Sequence, residues 1–288
     1  MLTILFDGIA YGMLLFILAV GLSVTMGLMN FINLAHGAFA MAGGYLTVVL
    51  MQRFGVPFLI CLPLAFLATG FVGAIMERSL YRPMYAKPHL DQVLFSIGLA
   101  FMSVSAIDYF MGSQQQIMQL PEMLKGRTEL WDGALGMGHY RLFIIAICAA
   151  LTLALQYVLA KTTFGSRLRA SVDDSRVAAG LGINVNSVFA ITFAVGSGLA
   201  GLGGALGAEV LGLDPTFPLK FMVYFLIVVA VGGTSSITGP LLAALLLGIA
   251  DVAGKYYVPK LGAFIVYSLM LLILLWRPQG LFVRKGGH

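Results

Sequence analysis

The stretch from Val195 to Ala208 reads VGSGLAGLGGALGA, and its small residues recur at every fourth position. One series consists of Gly196, Ala200, Gly204 and Ala208, and a second consists of Ser197, Gly201 and Ala205. Residues four positions apart lie on one side of an α-helix, so the segment predicts a helix with two adjoining small-residue faces. Because such faces let helices approach closely within a membrane, we expect close packing here in preference to a role in permeation.

The rest of the chain is also strongly apolar. Of its 288 residues, 60% are hydrophobic and 10% are charged, and the mean hydropathy is +0.96. A soluble domain of this length would need far more polar surface. The net charge of +5 is spread over connecting segments, without the basic face of a nucleic-acid-binding protein. The composition predicts an all-α, polytopic membrane protein with a lipid membrane as its surroundings and no nucleic-acid partner.

Nine apolar segments are candidate membrane spans, each of which needs roughly 20 residues at a rise of about 1.5 Å. They are Ile4–Met26, Leu34–Met51, Pro57–Met76, Gln92–Met111, Leu142–Ala160, Val185–Ala208, Phe221–Gly233, Pro240–Ala253 and Gly262–Trp276. The second, seventh and eighth segments are short or interrupted by glycine. We therefore expect about eight to ten transmembrane helices, including short or broken ones. In an alternative arrangement, Leu34–Met51 enters the membrane and returns to the same side.

The distribution of Lys and Arg predicts the orientation of these spans. Ten of the 17 basic residues lie in Glu77–Asp91, in Lys161–Ile183 and in the tail after Trp276. Because cytoplasmic loops are enriched in Lys and Arg, these segments are predicted to be cytoplasmic. Nine crossings then place the N-terminal end outside. The long polar connection over residues 112–140 becomes an extracytoplasmic loop, either a plain surface loop or a docking rim for a soluble partner.

The sequence contains little that would support catalysis. It lacks the G-x-x-x-x-G-K-[ST] loop that binds nucleotide phosphates, and it also lacks G-x-S-x-G and H-E-x-x-H. Cys61 and Cys148 lie in separate apolar runs, where we expect buried, unpaired thiols. Asp108, Glu209 and Asp251 lie near predicted span ends, where each carboxylate is expected to reach water. We predict no catalytic residues, no metal site, no cofactor and no ATP site.

The segment TTFGSRLRASVDDSRVAAGLGIN, residues 162–184, has the pattern of an amphipathic cytoplasmic helix. Three residues mark its apolar face: Leu168, Val172 and Ala179. Asp173 lies within ion-pair reach of Arg169 and Arg176 on a continuous helix. The apolar face and the flanking glycines favour a helix presented to a cytoplasmic partner over a solvated loop.

The segment NFINLAHGAFAMAGGYL, residues 30–46, places polar side chains at membrane depth. Asn30, Asn33 and His36 would lie within about 120° of one another on a helix. The glycines that follow predict a broken segment whose freed backbone groups face protein or a water-filled path. A similar interrupted segment, residues 232–236, precedes Pro240, which suggests two weakly related halves. The three polar side chains could line a path, or they could cap helix ends and satisfy buried carbonyl groups.

Four motifs in this order resemble the shorter permease subunit of branched-chain amino acid ABC importers. They are NFINLAHGAFAMAGGYL, FGSRLRASVDDSRVAAGLGIN, VGGTSSITGPLLAALLLGIAD and LLILLWRPQGLF. The resemblance implies one transmembrane permease domain over residues 1–288, located in a bacterial or archaeal cytoplasmic membrane. It also implies a second permease subunit, two ABC ATPase subunits and an extracytoplasmic solute-binding protein. The second permease could be a related chain or another copy of this one.

The resemblance also assigns roles to residues. It makes residues 162–184 a coupling segment whose ATPase contacts are Arg169, Asp173, Asp174, Ala178, Ala179, Gly180, Gly182 and Ile183. Together with the broken segments, it assigns a translocation path to Asn30, Asn33, His36, Gly37, Gly232, Gly233 and Thr234. The implied solute is a branched-chain amino acid or another amino acid, urea, a short amide or a small aromatic acid. A self-sufficient channel or secondary transporter is the alternative that the same spans would fit.

Overall fold

The computed structural model describes residues 1–29, 31–130, 135–233, 237–277 and 280–281. Its helices are α1 (Leu2–Leu28), α2 (His36–Phe54), α3 (Phe58–Met76), α4 (His89–Met111), α5 (His139–Lys161), α6 (Thr163–Asp173), α7 (Ser175–Gly180), α8 (Val185–Leu211), α9 (Phe217–Gly232), α10 (Thr238–Tyr257) and α11 (Gly262–Trp276). A two-stranded antiparallel hairpin, β1 (Arg127–Leu130) and β2 (Leu135–Gly138), precedes α5. The predicted all-α architecture is confirmed.

Contacts between helix ends define one face of the bundle. An ion pair between Asp7 and Arg141 joins the starts of α1 and α5. Leu213, just after α8, forms a backbone bridge to the loop before the hairpin, and Gln52 near the end of α2 donates a hydrogen bond to the same loop. We call this side, which carries the hairpin, the hairpin face.

The opposite side carries α6 and α7, and we call it the α6–α7 face. The turn after α3 reaches it, since the ring of Tyr85 lies 6.1 Å from that of Phe189 near the start of α8. Of the described helices, α1 and α5 therefore begin at the hairpin face, and α2 and α8 end there. α2 is one continuous helix that ends at the hairpin face, so the alternative in which Leu34–Met51 returns to the same side is wrong.

Among the described residues, six helices are long and apolar enough to cross a membrane, and α9 and α11 are shorter apolar helices. α2 has 19 residues and is about 28 Å long, close to the hydrocarbon thickness of about 30 Å. The eighth segment was predicted to be short or interrupted by glycine, but it forms one continuous helix of 20 residues, because α10 continues past Ala253 to Tyr257. Its extra turn carries Lys255, whose charge is paired with Asp251 four residues earlier.

α8 is the central helix, and its small residues contact three neighbours. Gly196 faces Gly21 of α1, while a Cβ atom at Gly204 would clash with the backbone carbonyl of Ala40 in α2. A Cβ atom at Gly201 would clash with the side chain of Thr69 in α3. The predicted close packing of this segment is confirmed, and it fixes α1, α2 and α3 around one axis.

Candidate functional site

The described residues between α1 and α2, Met29 and residues 31–35, are non-helical and run back along α1. α1 ends at Leu28, yet the Nε2 atom of His36, the first residue of α2, lies 2.9 Å from the carbonyl oxygen of Leu18. α2 therefore begins beside the middle of α1, inside the bundle. The structure thus contains the expected interruption after the first span, while Asn30 lies outside the described residues.

Asn33 is fully buried within this segment. Its Oδ1 atom accepts hydrogen bonds from the amide of Ala35 at 3.1 Å and from the hydroxyl of Tyr81 at 3.3 Å. Its Nδ2 atom has no hydrogen-bond partner among the described residues. A buried donor without a partner costs about 1–3 kcal/mol, so this conformation keeps an unsatisfied polar group at the break.

α4 holds the same segment from the other side. The Oε1 atom of Gln92 accepts a hydrogen bond from the amide of Ile32 at 3.2 Å. The hydroxyl of Ser96 donates to the carbonyl oxygen of Ile32 at 3.3 Å. Both side chains are buried. Gln92 and Ser96 were not predicted from the sequence as part of the site, although polar residues one turn apart on an apolar helix are typical of interhelical hydrogen bonding.

An aromatic cluster anchors the segment to the turns after α3. The ring of Phe31 meets those of Tyr81 and Tyr85 edge-on, at 5.5 and 5.4 Å. The hydroxyl of Tyr85 donates to the fully buried carboxylate of Glu77, which also pairs with Arg82 at 3.2 Å. Burial, together with the negative charge of Glu77, raises the pKa of the Tyr85 phenol, so the hydroxyl stays protonated and remains a donor.

The glycines assigned to the path lie at close approaches of the backbone. A Cβ atom at Gly37 would lie 2.9 Å from the Cα atom of Pro218 in α9. A Cβ atom at Gly232 would clash with the backbone of Pro240, and Gly233 ends α9 with a φ of +78°. In this conformation these glycines contact the chain's own backbone. Thr234 lies outside the described residues.

The proposed path residues therefore fall into two groups. Asn33, His36 and Gly37 lie together at the start of α2, while Gly232 and Gly233 lie at the end of α9. α9 also reaches the first group, because the ring of Phe225 lies 6.3 Å from that of His36. The described side chains of the first group are buried within the protein in this state.

Residues 162–184 form two helices, and the continuous helix that the pattern predicted is wrong. α6 ends at Asp173, and α7 begins at Ser175. Between them, Asp174 is extended with a φ of −151°, and its carboxylate accepts hydrogen bonds from the amides of Arg176 and Val177 at 2.8 and 3.0 Å. Asp174 is thus the N-cap of α7, and the helical register restarts there.

This restart changes which residues face the protein. Leu168 of α6 and Ala178 of α7 are buried, whereas Ala179 is exposed, so the predicted apolar face holds for α6 alone. The predicted ion pairs of Asp173 are not formed in the part of the chain that the structure describes. Arg169 instead donates a hydrogen bond to a carbonyl group near the end of α5.

The outer side of α7 is exposed and partly apolar. Val177 and Leu181 are 58% and 76% exposed, and they lie four positions apart. The space around a Cβ atom at Gly180 is open. Of the residues assigned to ATPase contact, the exposed ones are Arg169, Asp173, Asp174, Ala179, Gly180 and Gly182, while Ile183 is half-buried and Ala178 is buried. Val177 and Leu181 were not predicted from the sequence as part of this surface.

Three carboxylates, those of Asp108, Glu209 and Asp251, were predicted to reach water, and two of them do. Asp108 and Glu209 are exposed. Asp251 is only 1% exposed and pairs with Lys255 at 2.5 Å, so the prediction for this residue was wrong. The reason is that α10 continues for another turn, which brings Asp251 inside the bundle and supplies its counter-ion.

A bundle with six described helices that are long and apolar enough to cross a membrane, and with a non-helical connection in its interior, defines a multi-pass membrane protein. A family model described as "Branched-chain amino acid transport system / permease component" matches residues 4–274, and the chain belongs to this family of permease components. It is 25% identical to the high-affinity branched-chain amino acid transport system permease protein BraD of Pseudomonas aeruginosa, over 97% of this chain and 95% of that protein.

Two further relatives come from Escherichia coli. The chain is 27% identical to the high-affinity branched-chain amino acid transport system permease protein LivH, over 97% of this chain and 94% of LivH. It is 24% identical to the permease protein LivM of the same kind of system, over 93% of this chain and 68% of LivM. No solved structure matches the chain. The predicted family is confirmed, and the chain is a transport permease rather than an enzyme.

Proposed function

We propose that this chain is one membrane subunit of an ATP-driven importer of branched-chain amino acids or a related small solute. It would assemble with a second, related permease subunit, two ABC ATPase subunits and an extracytoplasmic solute-binding protein. The main observation behind this proposal is the α6–α7 pair, which packs against the membrane helices on one side and is exposed on the other. The transport systems named for its relatives support the choice of solute.

The α6–α7 pair has the features of a mechanical contact with an ATPase. Val177 and Leu181 form an exposed apolar pair that a partner surface would cover. Behind them, Leu168 is buried, and Gly165 approaches the backbone of Leu159 so closely that a Cβ atom would clash. Only residues 181–184 separate α7 from α8. Movement of α7 would therefore pass directly into the central helix of the bundle.

The hairpin face is the proposed outer surface, where the solute-binding protein docks. The described part of the connection over residues 112–140 lies on this face, and its exposed ion pair between Glu122 and Lys125 presents charge to a soluble partner. The basic segments 77–91 and 161–183 lie toward the opposite, cytoplasmic side, in agreement with the orientation expected from charge.

The proposed path is formed by Asn33, His36 and Gly37 at the start of α2 and by Gly232 and Gly233 at the end of α9. The sequence assigns Asn30 and Thr234 to the path as well, but both lie outside the described residues. In the described conformation the path is closed beside the start of α2, because Gln92 and Ser96 hold Ile32 in place and Tyr81 holds Asn33. Opening would separate this segment from α4 and would give the unpaired Nδ2 atom of Asn33 access to water or solute.

We predict that a cysteine at Asn33 becomes reactive only during transport. In the assembled transporter, Asn33→Cys should be alkylated by a polar thiol reagent at least tenfold faster with ATP and solute than without them. The two native cysteines, Cys61 and Cys148, are buried and give a low background. Equal protection under both conditions would assign Asn33 a purely structural role.

The test of the proposed function is whether accumulation depends on the ATPase subunits. Concentrating a solute a thousandfold costs about 4 kcal/mol, which must come from an energy source. Proteoliposomes with the complete complex should accumulate leucine on addition of ATP and solute-binding protein. Proteoliposomes without ATPase subunits should only equilibrate or exclude it. Accumulation by this chain alone, driven by an ion gradient, would establish the secondary-transporter alternative instead.

A further inference from the structure

A cavity of about 170 Å³ lies between the hairpin-face ends of α1, α5, α8 and α10. Four of its lining residues are charged: Asp7, Arg141, Asp251 and Lys255. The other lining residues are one tyrosine and five aliphatic residues: Ala10, Tyr11, Leu14, Ile144, Val210 and Val252. The cavity therefore combines two charges of each sign with an apolar wall, and nothing in the path described above uses it.

The four charged side chains form ion pairs with one another but keep some of their hydrogen-bonding capacity unused. Asp7 pairs with Arg141 through its Oδ2 atom, but its Oδ1 atom is buried and has no hydrogen-bond partner in the described structure. Asp251 pairs with Lys255 and also accepts a hydrogen bond from the hydroxyl of Tyr224 at 3.4 Å. The side chains of Arg141 and Lys255 are 43% and 55% exposed, so their other N–H groups can reach a ligand.

We propose that this cavity binds a zwitterionic amino acid with an aliphatic side chain, an inference that rests on the proposed function and locates a solute site within it. The ligand's ammonium group donates to the carboxylate of Asp7, whose side chain is 19% exposed and lines the cavity. Its carboxylate accepts hydrogen bonds from Arg141 and Lys255, and its side chain packs on the aliphatic wall.

The balance of charge explains why a zwitterion fits best. The cavity already holds two negative and two positive side chains, so a ligand with one charge of each sign leaves no charge without a partner. A ligand with only one charge would leave a partly buried charge uncompensated, which is costly in a low-dielectric environment. The aliphatic residues add favourable burial of about 25 cal/mol per Å² of apolar surface.

The cavity also has the right size and access. At about 30 Å³ per water molecule, 170 Å³ corresponds to about five or six waters, and covalently bonded atoms pack more closely than waters. A larger cavity of about 570 Å³ beneath the hairpin shares Asp7, Arg141 and Val210 with it. The two cavities are therefore adjacent, and the smaller one lies close to the surface at which a solute would be released.

The experiment measures binding of radiolabelled leucine to the assembled complex in nanodiscs, without the solute-binding protein. We expect saturable binding that weakens at least tenfold in Asp7→Asn and in Lys255→Met. The matched control is Asp108→Asn, which removes the same charge from an exposed position at the hairpin-face end of α4 and should change binding less than twofold. Leucinamide and 4-methylpentanoate, which each lack one charge, should compete at least tenfold more weakly than leucine.

A second measurement leaves all four charged residues in place. Val252→Cys puts a thiol in the wall of the cavity, and leucine should slow its alkylation severalfold, with leucinamide protecting much less. Unchanged binding in Asp7→Asn, equal competition by leucinamide, or no protection of Val252→Cys would each overturn the site. If the complex still accumulates leucine while binding none without its receptor, the site fails and the proposed function stands. A complex that binds leucine here but never accumulates it would contradict the proposed function alone.

Discussion

Replacing Gly204 with valine should remove nearly all folded protein from the membrane. A Cβ atom at this position would clash with the backbone of Ala40, where α8 crosses α2. The obstacle is a main-chain carbonyl group, so no side-chain rotamer can relieve it, and the helices must separate. Overpacking costs about 1–3 kcal/mol where side chains can adjust, and we expect more than about 3 kcal/mol here. Fluorescence-detected size-exclusion chromatography of a tagged protein would measure the loss.

The control for this substitution is Gly98→Val in α4. A Cβ atom at Gly98 meets nothing within 4 Å, so the same added side chain should leave the yield and thermal stability almost unchanged. Any penalty from placing valine in a helix is common to both variants. A Gly204→Val protein that accumulates and melts like the Gly98→Val protein would show that α8 and α2 do not cross as closely as described.

The closely packed centre of the fold could be predicted because its signal is local. Small residues at every fourth position on one helix require no knowledge of distant parts of the chain. The same holds for the order of the apolar segments, which correspond to nine helices in the described structure. The lengths of the spans were predicted less well. The end of α10 depends on the ion pair between Lys255 and Asp251, whereas a hydropathy scale counts the two residues as separate charges and ends the span too early.

The break at Asp174 shows why the α6–α7 pair could not be predicted in detail. Asp173, Asp174 and Ser175 are all good N-cap residues, so the sequence permits a helix restart at any of them or none. Which one is used depends on the packing of Leu168 and Gly165 against the end of α5. Once Asp174 is the cap, Ala178 turns inward, and Val177 and Leu181 are left exposed.

The partners of the broken segment were also beyond local reasoning. The sequence singled out Asn33 and His36, since polar side chains are conspicuous in an apolar region. Their hydrogen-bond partners, Tyr81 and the carbonyl of Leu18, lie 48 and 18 positions away in sequence. Only the folded arrangement, in which α2 begins beside the middle of α1, brings these groups together.

These features lie along one mechanical connection through the protein. α7 leads into α8, and the small-residue faces of α8 contact α1, α2 and α3 without intervening long side chains. Because closely packed helices transmit displacement with little compression, a shift at the start of α8 would reach the beginning of α2. The broken segment would then respond to movement of α7, which makes the cap of α7 the point where coupling is most easily interrupted.

Replacing Asp174 with alanine should uncouple ATP hydrolysis from transport. The substitution removes two hydrogen bonds that begin α7, at a cost of about 0.5–2 kcal/mol, and a helix of six residues has little else to hold it together. Leucine uptake by the reconstituted complex should fall at least tenfold, while ATPase activity persists without stimulation by the loaded receptor. Membrane insertion should be normal, because α7 lies outside the bundle.

The conservative variant distinguishes capping from charge. Asparagine caps a helix about as well as aspartate, so Asp174→Asn should keep most of the uptake if the cap is what matters.

Gly180→Leu probes the partner surface independently, because a side chain there meets open space in this chain and can clash only with an ATPase. It should abolish uptake, whereas Gly98→Leu, at an equally open position on α4, should not. Normal uptake in both Asp174→Ala and Gly180→Leu would mean that the ATPases act on another part of the cytoplasmic surface.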